Sequence, residues 1–390
     1  MVETTSIGRR RIGRHCAVLI GLWALVGLAQ VLSPLLPPPE FFCYRAWECA
    51  LGHDRPFIPW YVWRAPASGD LSHTAGAPQL NRFRAQTFTT DEYGFRDRVG
   101  QADRHPDVVI VGDSFAAGAA VSDGELLDAM IEKETGLVVY NLATLRLRNF
   151  YTDQRFLDHP PRWVIAFHVE RDLAPENFVL LKGDKPWTPQ RFADRAAYDR
   201  SLRPGVRGRW KQANENMNYH SLLSFYGERG LKGLLWKLRL YDFPEQIGHY
   251  DPTSGFLFYA QSVRQQADPS DKLRELPATV GAMRDAERKL AARGIRLIVL
   301  VAPDKEDIYH LMIPALRGRD TGVYLERLET ELTRLGVTHV PAQRLLAAHL
   351  SRRPYEILYF PDDTHLTPLG HRVLMSGLMP LLQADVYPKR

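Results

Sequence analysis

The sequence predicts an α/β protein with a three-layer, doubly wound parallel sheet, and three observations carry that prediction. Short apolar runs at residues 108–111, 137–141, 163–169, 295–301 and 337–340 read as strands buried on both faces. Stretches of helical period at 276–293, 323–335 and 368–382 alternate with the later runs, the first of them closed by Gly294. The run at 108–111 stops abruptly at Gly112-Asp113-Ser114 before an Ala-rich stretch, from Phe115 onward, that reads as a helix. Strands separated by helices imply right-handed crossovers, hence a parallel sheet covered on both faces.

Taken in order, residues 1–15 form a basic tail, with Arg9, Arg10, Arg11 and Arg14 ahead of an apolar run. Residues 16–36 read as a transmembrane helix, just long enough to cross a bilayer. The Arg cluster would stay cytoplasmic, which predicts a single-pass bacterial inner-membrane protein with its catalytic domain in the periplasm. A cleaved signal peptide competes, since Gly27 and Ala29 offer small residues at a cleavage spacing. Residues 37–104, rich in Pro, Trp, Tyr and Arg, read as a lead-in that packs on the domain, with strand-like alternation and a turn over 88–96. Residues 105–390 make the α/β domain, interrupted over about 173–275 by an inserted lobe that caps the core or faces a partner. Aromatic residues in that lobe read as core rather than as sugar-stacking platforms.

Composition narrows the function. Of 390 residues, 45% are hydrophobic and 24% charged, enough for one large core or two modest ones. The net charge of +5 owes much to the N-terminal Arg cluster, so there is no nucleic-acid footprint. The cysteines, Cys16, Cys43 and Cys49, show no zinc-binding spacing. Cys43 and Cys49 read either as a small disulfide in an oxidising compartment or as two unpaired buried thiols.

Chemistry concentrates at two loops. Ser114 sits where a strand ends at a surface, a position suited to a nucleophile. Near the C-terminus, His365 follows Asp362 and Asp363, just before Pro368 opens a helix. Either carboxylate can accept the histidine Nδ1–H and leave Nε2 to take a proton from a serine. Loops at the carboxyl ends of parallel strands share one crevice, so Ser114 and His365 are expected to meet across the sequence. The competing reading has the two acids capping a helix and His365 merely exposed. Asp113 is available to cap the helix start at Ser114. Lys305 reads as a site-lining cation for an acidic sugar or as an exposed loop residue. Arg171 reads as a site residue or as the salt-bridge partner of Glu170 or Asp172. His105, His159 and His168 have no ligand-like spacing and are assigned no role.

These residues carry a resemblance. Gly112-Asp113-Ser114 after a strand, with Asp362-Asp363-Thr364-His365 and then Gly370-His371 near the C-terminus, resembles the SGNH/GDSL hydrolase superfamily over residues 105–175 and 290–385. The resemblance implies an SGNH/flavodoxin-like three-layer fold and a serine nucleophile. Residues 301–309, Asp363-Thr364-His365 and Glu170-Arg171-Asp172 are further similar to the SGNH-like proteins that O-acetylate alginate and related exopolysaccharides. In those proteins the Asp-Thr-His segment precedes the serine, whereas here it follows. The superfamily draws oxyanion donors from a glycine after the second strand and an asparagine after the third. The corresponding stretches here are Asn141-Leu142-Ala143-Thr144 and Glu170-Arg171-Asp172. The Ser114 backbone N–H remains available, with Arg171 or Asn141 as substitutes, and loss of one donor typically costs about 2.7–4 kcal/mol.

The functional expectation is a serine acyl enzyme that transfers or removes O-acetyl groups on an envelope or secreted polysaccharide through an acyl-Ser114 intermediate. His365 is the general base, oriented by Asp363 or Asp362, and neither metal nor dissociable cofactor is required. The resemblance alone implies a membrane acyltransferase partner that supplies acetyl groups. A non-catalytic polysaccharide-binding or assembly scaffold is the alternative, and a lipid or peptidoglycan esterase a third reading.

Overall fold

The computed structural model describes residues 16–28, 57–76, 78–181, 186–201 and 228–386. The chain first forms an antiparallel pair, β1 (Val62–Ala67) with β2 (Arg84–Thr89), with helix α1 (Asp70–Ala75) in the connection. The apolar runs then enter one sheet as β3 (Val108–Gly112), β4 (Val139–Asn141) and β5 (Trp163–Val169). An antiparallel hairpin follows, β6 (Ile247–Asp251) and β7 (Phe256–Tyr259), and then β8 (Arg296–Ala302) and β9 (His339–Val340). The five-stranded sheet has the order β4-β3-β5-β8-β9 with every neighbouring pair parallel. The order reverses at β3, which is the switch point where open α/β sheets form their crevice.

Helices cover both faces, as the alternation within the strands requires. Val108 and Ile110 of β3, Ile165 and Phe167 of β5, and Ile298 and Leu300 of β8 face one side. There they pack with α2 (Leu127–Thr135), α8 (Ala342–Arg352) and α9 (Pro368–Val386). Val109 and Val111, Val164 and Ala166, and Leu297 and Val299 face the other. Their partners come from α3 (Leu147–Thr152), α4 (Gln154–Asp158), α5 (Ser270–Ala291) and α7 (Val323–Leu335). Each fully buried aliphatic side chain contributes about 1.5–3 kcal/mol, which makes the two-faced strand pattern the main determinant of the architecture.

The structure departs from expectation at several places. The stretch after Ser114 is a chain of turns, and α2 begins only at Leu127. Gly118, at φ +62, interrupts any helix there, and the buried Arg96 guanidinium takes up the carbonyls of Ala117, Gly118 and Val121. Strand alternation belongs to β2, ending at Thr89, while residues 91–98 are turns.

The expected single-pass anchor is overturned. Residues 16–28 are helical, and residues 29–36 of the expected span lie outside the described residues. Among the described residues no helix is long and apolar enough to cross a membrane. The inner-membrane placement with a periplasmic domain is therefore withdrawn. Among the described residues Cys16 is exposed and has no disulfide partner, and Cys43 and Cys49 lie outside them.

Candidate active site

At the carboxyl end of β3 the backbone turns sharply at Gly112, whose φ is +147 and where a Cβ would collide with the Phe167 carbonyl of β5. Asp113 fastens the turn. Its Oδ1 accepts the Phe115 N–H at 2.8 Å and its Oδ2 accepts the Val169 N–H at 2.7 Å, joining the ends of β3 and β5. Ser114 follows, half-buried at the switch point. Among the described residues its backbone N–H has no protein acceptor.

The opposing loop, between α8 and α9, is fastened from within by backbone bonds and from beneath by a buried lysine. Phe360 N–H donates to the His365 carbonyl at 3.1 Å, and Asp363 N–H donates to Phe360 at 3.2 Å. Lys305, at the start of α6 (Lys305–Ile308), is fully buried beneath it. Its ammonium lies within hydrogen-bond distance of the carbonyls of Leu257 (2.7 Å), Phe360, Pro361 and Asp363 (2.9 Å each). Burial pulls the Lys305 pKa down to about 8, against the opposing pull of Glu306, Asp70, Asp363 and Asp362. Lys305 is thus a buried latch for the loop, and the expectation that it lines the site to bind an acidic sugar is corrected.

The two loops meet. Ser114 Oγ lies 2.7 Å from His365 Nε2, and His365 Nδ1 lies 2.6 Å from Asp363 Oδ1. The Asp363 carboxylate is completely buried, and the Phe115 ring packs 4.8 Å from the imidazole. With Nδ1 facing a carboxylate, Nδ1 carries the proton and Nε2 is the acceptor for the serine hydroxyl.

The adjacent acids separate into different tasks. Asp362 does not touch the histidine. Its Oδ2 accepts the Gly69 N–H at 2.8 Å and the Arg82 N–H at 2.9 Å, tying the residues around α1 and β2 to the loop. The Arg84 guanidinium bridges both acids, at 3.0 Å to Asp362 Oδ1 and 2.5 Å to Asp363 Oδ2. Asp70 is a further carboxylate beside the imidazole: its Oδ2 is 3.5 Å from Nδ1, while its Oδ1 accepts the Thr364 N–H at 2.7 Å. Asp70, Asp363 and His365 each bring a ligand atom within 4.8 Å of the others. Because Asp363 and His365 bond each other and Arg84 occupies the second Asp363 oxygen, the set is arranged for proton transfer.

The expected oxyanion substitutes are both engaged inside the fold. Asn141 is buried, its Nδ2 donating to Ala116 and Asp128 at 3.0 Å each and its Oδ1 accepting the Ala143 N–H. No amide hydrogen remains for a developing oxyanion. The Arg171 guanidinium pairs with Asp304 at 2.8 Å and reaches Thr364 Oγ1 at 3.4 Å. It ties the β5 end to the β8 end next to the histidine loop, so its principal partner is Asp304 rather than the neighbouring Asp172, which lies 3.9 Å away. Gly370-His371 leads to a buried imidazole. Burial, with the nearby His365 and Arg96, lowers the His371 pKa to about 3, so it stays neutral.

Arg84 and Asp70 had no signal in the sequence reading. Two consecutive acids ahead of a histidine imply a counter-charge if they are buried, but nothing in sequence spacing tells which of 50 Lys and Arg residues supplies it.

A serine, histidine and aspartate stand in hydrogen-bonded series at the switch point of a doubly wound parallel sheet, an arrangement that fits an SGNH-like fold. Residues 253–388 match the family described as the SGNH hydrolase-like domain of acetyltransferase AlgX, a stretch holding Asp363 and His365 but not Ser114. The resemblance read from the motifs is thus shown for that part of the chain. No curated protein matches the chain.

Proposed function

We propose that the protein is a serine acyl enzyme that moves O-acetyl groups on a polysaccharide. The observation that carries the reading is the continuous series Ser114 Oγ to His365 Nε2 at 2.7 Å and His365 Nδ1 to Asp363 at 2.6 Å. The likeness of residues 253–388 to the AlgX acetyltransferase domain supports acetyl as the group transferred. Ser114 Oγ attacks the acetyl carbonyl while its proton passes to His365 Nε2. Collapse of the tetrahedral intermediate expels the donor alkoxide, which takes that proton and leaves acetyl-Ser114. A sugar hydroxyl then attacks, giving its proton to His365, and Ser114 leaves with the proton returned. Water in place of the sugar makes the same site an esterase. Asp363 stabilises the imidazolium formed in each half, and the unpartnered Ser114 N–H is the available oxyanion donor. In vivo an acyltransferase partner would supply the acetyl donor.

The test is turnover of 4-nitrophenyl acetate by the full chain, wild type against Ser114→Ala, with mass spectrometry of the intact protein. The expected result is a transient acetyl adduct on Ser114 and release of nitrophenol in the wild type alone. Adding polysaccharides and measuring their acetyl content separates transfer from hydrolysis. Equal nitrophenol release by both proteins overturns the reading in favour of a binding or assembly scaffold.

A further inference from the structure

We propose that Arg84, contributed by the segment ahead of the α/β domain, is a positioning residue of the Ser114–His365–Asp363 relay. The proposal rests on the serine acyl enzyme reading and adds to it a group outside the residues that match the acetyltransferase domain.

The geometry is specific. Asp363 Oδ1 faces His365 twice, through Nδ1 at 2.6 Å and the backbone N–H at 3.2 Å. That leaves Oδ2, and Arg84 Nη2 binds it at 2.5 Å. A carboxylate held by one oxygen can rotate about its Cβ–Cγ bond, whereas one held at both oxygens keeps its lone pair on the imidazole. The arginine is itself fixed. It stands on β2 opposite Ala67, its Nε donates to the Ala120 carbonyl at 3.2 Å, and its guanidinium lies 4.0 Å from the centroid of the Phe360 ring. The Ala120 contact reaches the turn region after Ser114, so one side chain touches both loops of the site.

Charge gives the second reason. Asp362 and Asp363 are consecutive and both fully buried, and Asp70 adds a third carboxylate near His365. Two adjacent buried carboxylates do not both stay ionised without a counter-ion. Lys305 approaches this loop through backbone carbonyls, so Arg84 is the cation that meets the two carboxylates directly. Without it, the two carboxylates face each other with no cation between them, and Asp363 is held on the imidazole through one oxygen alone. Asp362, in turn, fixes Arg84 from the second side, so the pair of acids and the arginine form one bracket behind the histidine.

The experiment measures kcat and KM for 4-nitrophenyl acetate, with thermal melting, for full-length wild type, Ser114→Ala, Arg84→Ala and Arg84→Lys. Arg84→Ala is expected to lower kcat about 10- to 100-fold with KM within a factor of two. Added guanidinium ion at millimolar concentration is expected to restore part of kcat, and Arg84→Lys to fall between alanine and wild type. If Arg84→Ala fails to fold, the lysine variant decides by the same split between kcat and KM. A folded variant with wild-type kcat overturns the positioning role, as does a loss that neither lysine nor guanidinium relieves. Wild-type turnover no higher than that of Ser114→Ala overturns the acyl enzyme reading itself, and the role of Arg84 with it.

Discussion

At the scale of single residues, the two consecutive aspartates show how differently neighbours in sequence are used. Asp363 bonds the imidazole and Asp362 bonds backbone N–H groups of Gly69 and Arg82. Asp363→Asn presents an amide to His365 Nδ1 and favours the wrong tautomer. We expect kcat for an aryl acetate to fall about 10⁴-fold. Asp362→Asn removes a buried anchor, and the expected outcome is the reverse: a loss of about 1–3 kcal/mol in chemical denaturation and a much smaller loss of kcat. Identical kinetic losses in the two variants would contradict this division. Lys305→Met strips the donor from four buried carbonyls, and we expect at least about 2 kcal/mol of lost stability by urea titration. If the variant instead stayed stable and bound acidic polysaccharide less well than neutral polysaccharide, Lys305 would be a ligand group after all.

At the scale of elements, legibility followed the periodicity of burial. Helix α7 at Val323–Leu335 and strand β5 at Trp163–Val169 match their expected spans because their apolar pattern decides their packing alone. Ser114, His365 and the acids were legible for a related reason, since each stands at the end of an apolar run or just before a helix. The β1–β2 pair was not legible as a part of the site. Residues of β2 and of the turns after it are chosen for long-range partners: Gln86 Nε2 donates to Ala119 and Val121, and Arg96 beyond the strand donates to Ala117, Gly118, Val121 and Thr87. These bonds hold the turns after Ser114 in place of a helix. Arg96→Leu takes the guanidinium away from several buried carbonyls and from its ion pair with Asp123, and we expect a loss of about 3–5 kcal/mol by chemical denaturation. The turnover of the residual folded protein should drop as well, since the serine turn loses its clamp. A variant as stable as wild type would mean that the turns hold themselves.

At the scale of the whole molecule, the carboxyl edge of the sheet carries more acid than the triad uses. Behind Arg171 and Lys305 stand Glu170, Asp304, Glu306 and Asp307, all buried. Burial pushes Glu306 and Asp307 up to about 7 from ordinary values of 4.5 and 3.8, with Asp304 adding repulsion to both. Glu329, on α7 and facing Arg344 of α8, is likewise raised to about 7 by burial, and burial raises Asp91 and Asp128 to about 6. A carboxyl whose folded pKa exceeds its unfolded value binds more protons folded than unfolded between the two. Its contribution is therefore complete below pH 4 and is lost as pH rises through 6 to 7. Lys305 opposes the trend only weakly, because it begins to release its proton near pH 8. His371, held neutral by burial, destabilises the fold only as pH falls below about 6.5. The expected stability curve thus peaks on the acid side of neutrality and declines by on the order of 2 kcal/mol between pH 6.5 and 8. Urea denaturation at constant ionic strength checks it, and a midpoint that rises over that interval would show that the buried acids are paired as anions. Glu306→Gln, which removes one raised carboxyl away from the triad, is expected to flatten the stability decline while leaving the shape of the kcat/KM profile unchanged.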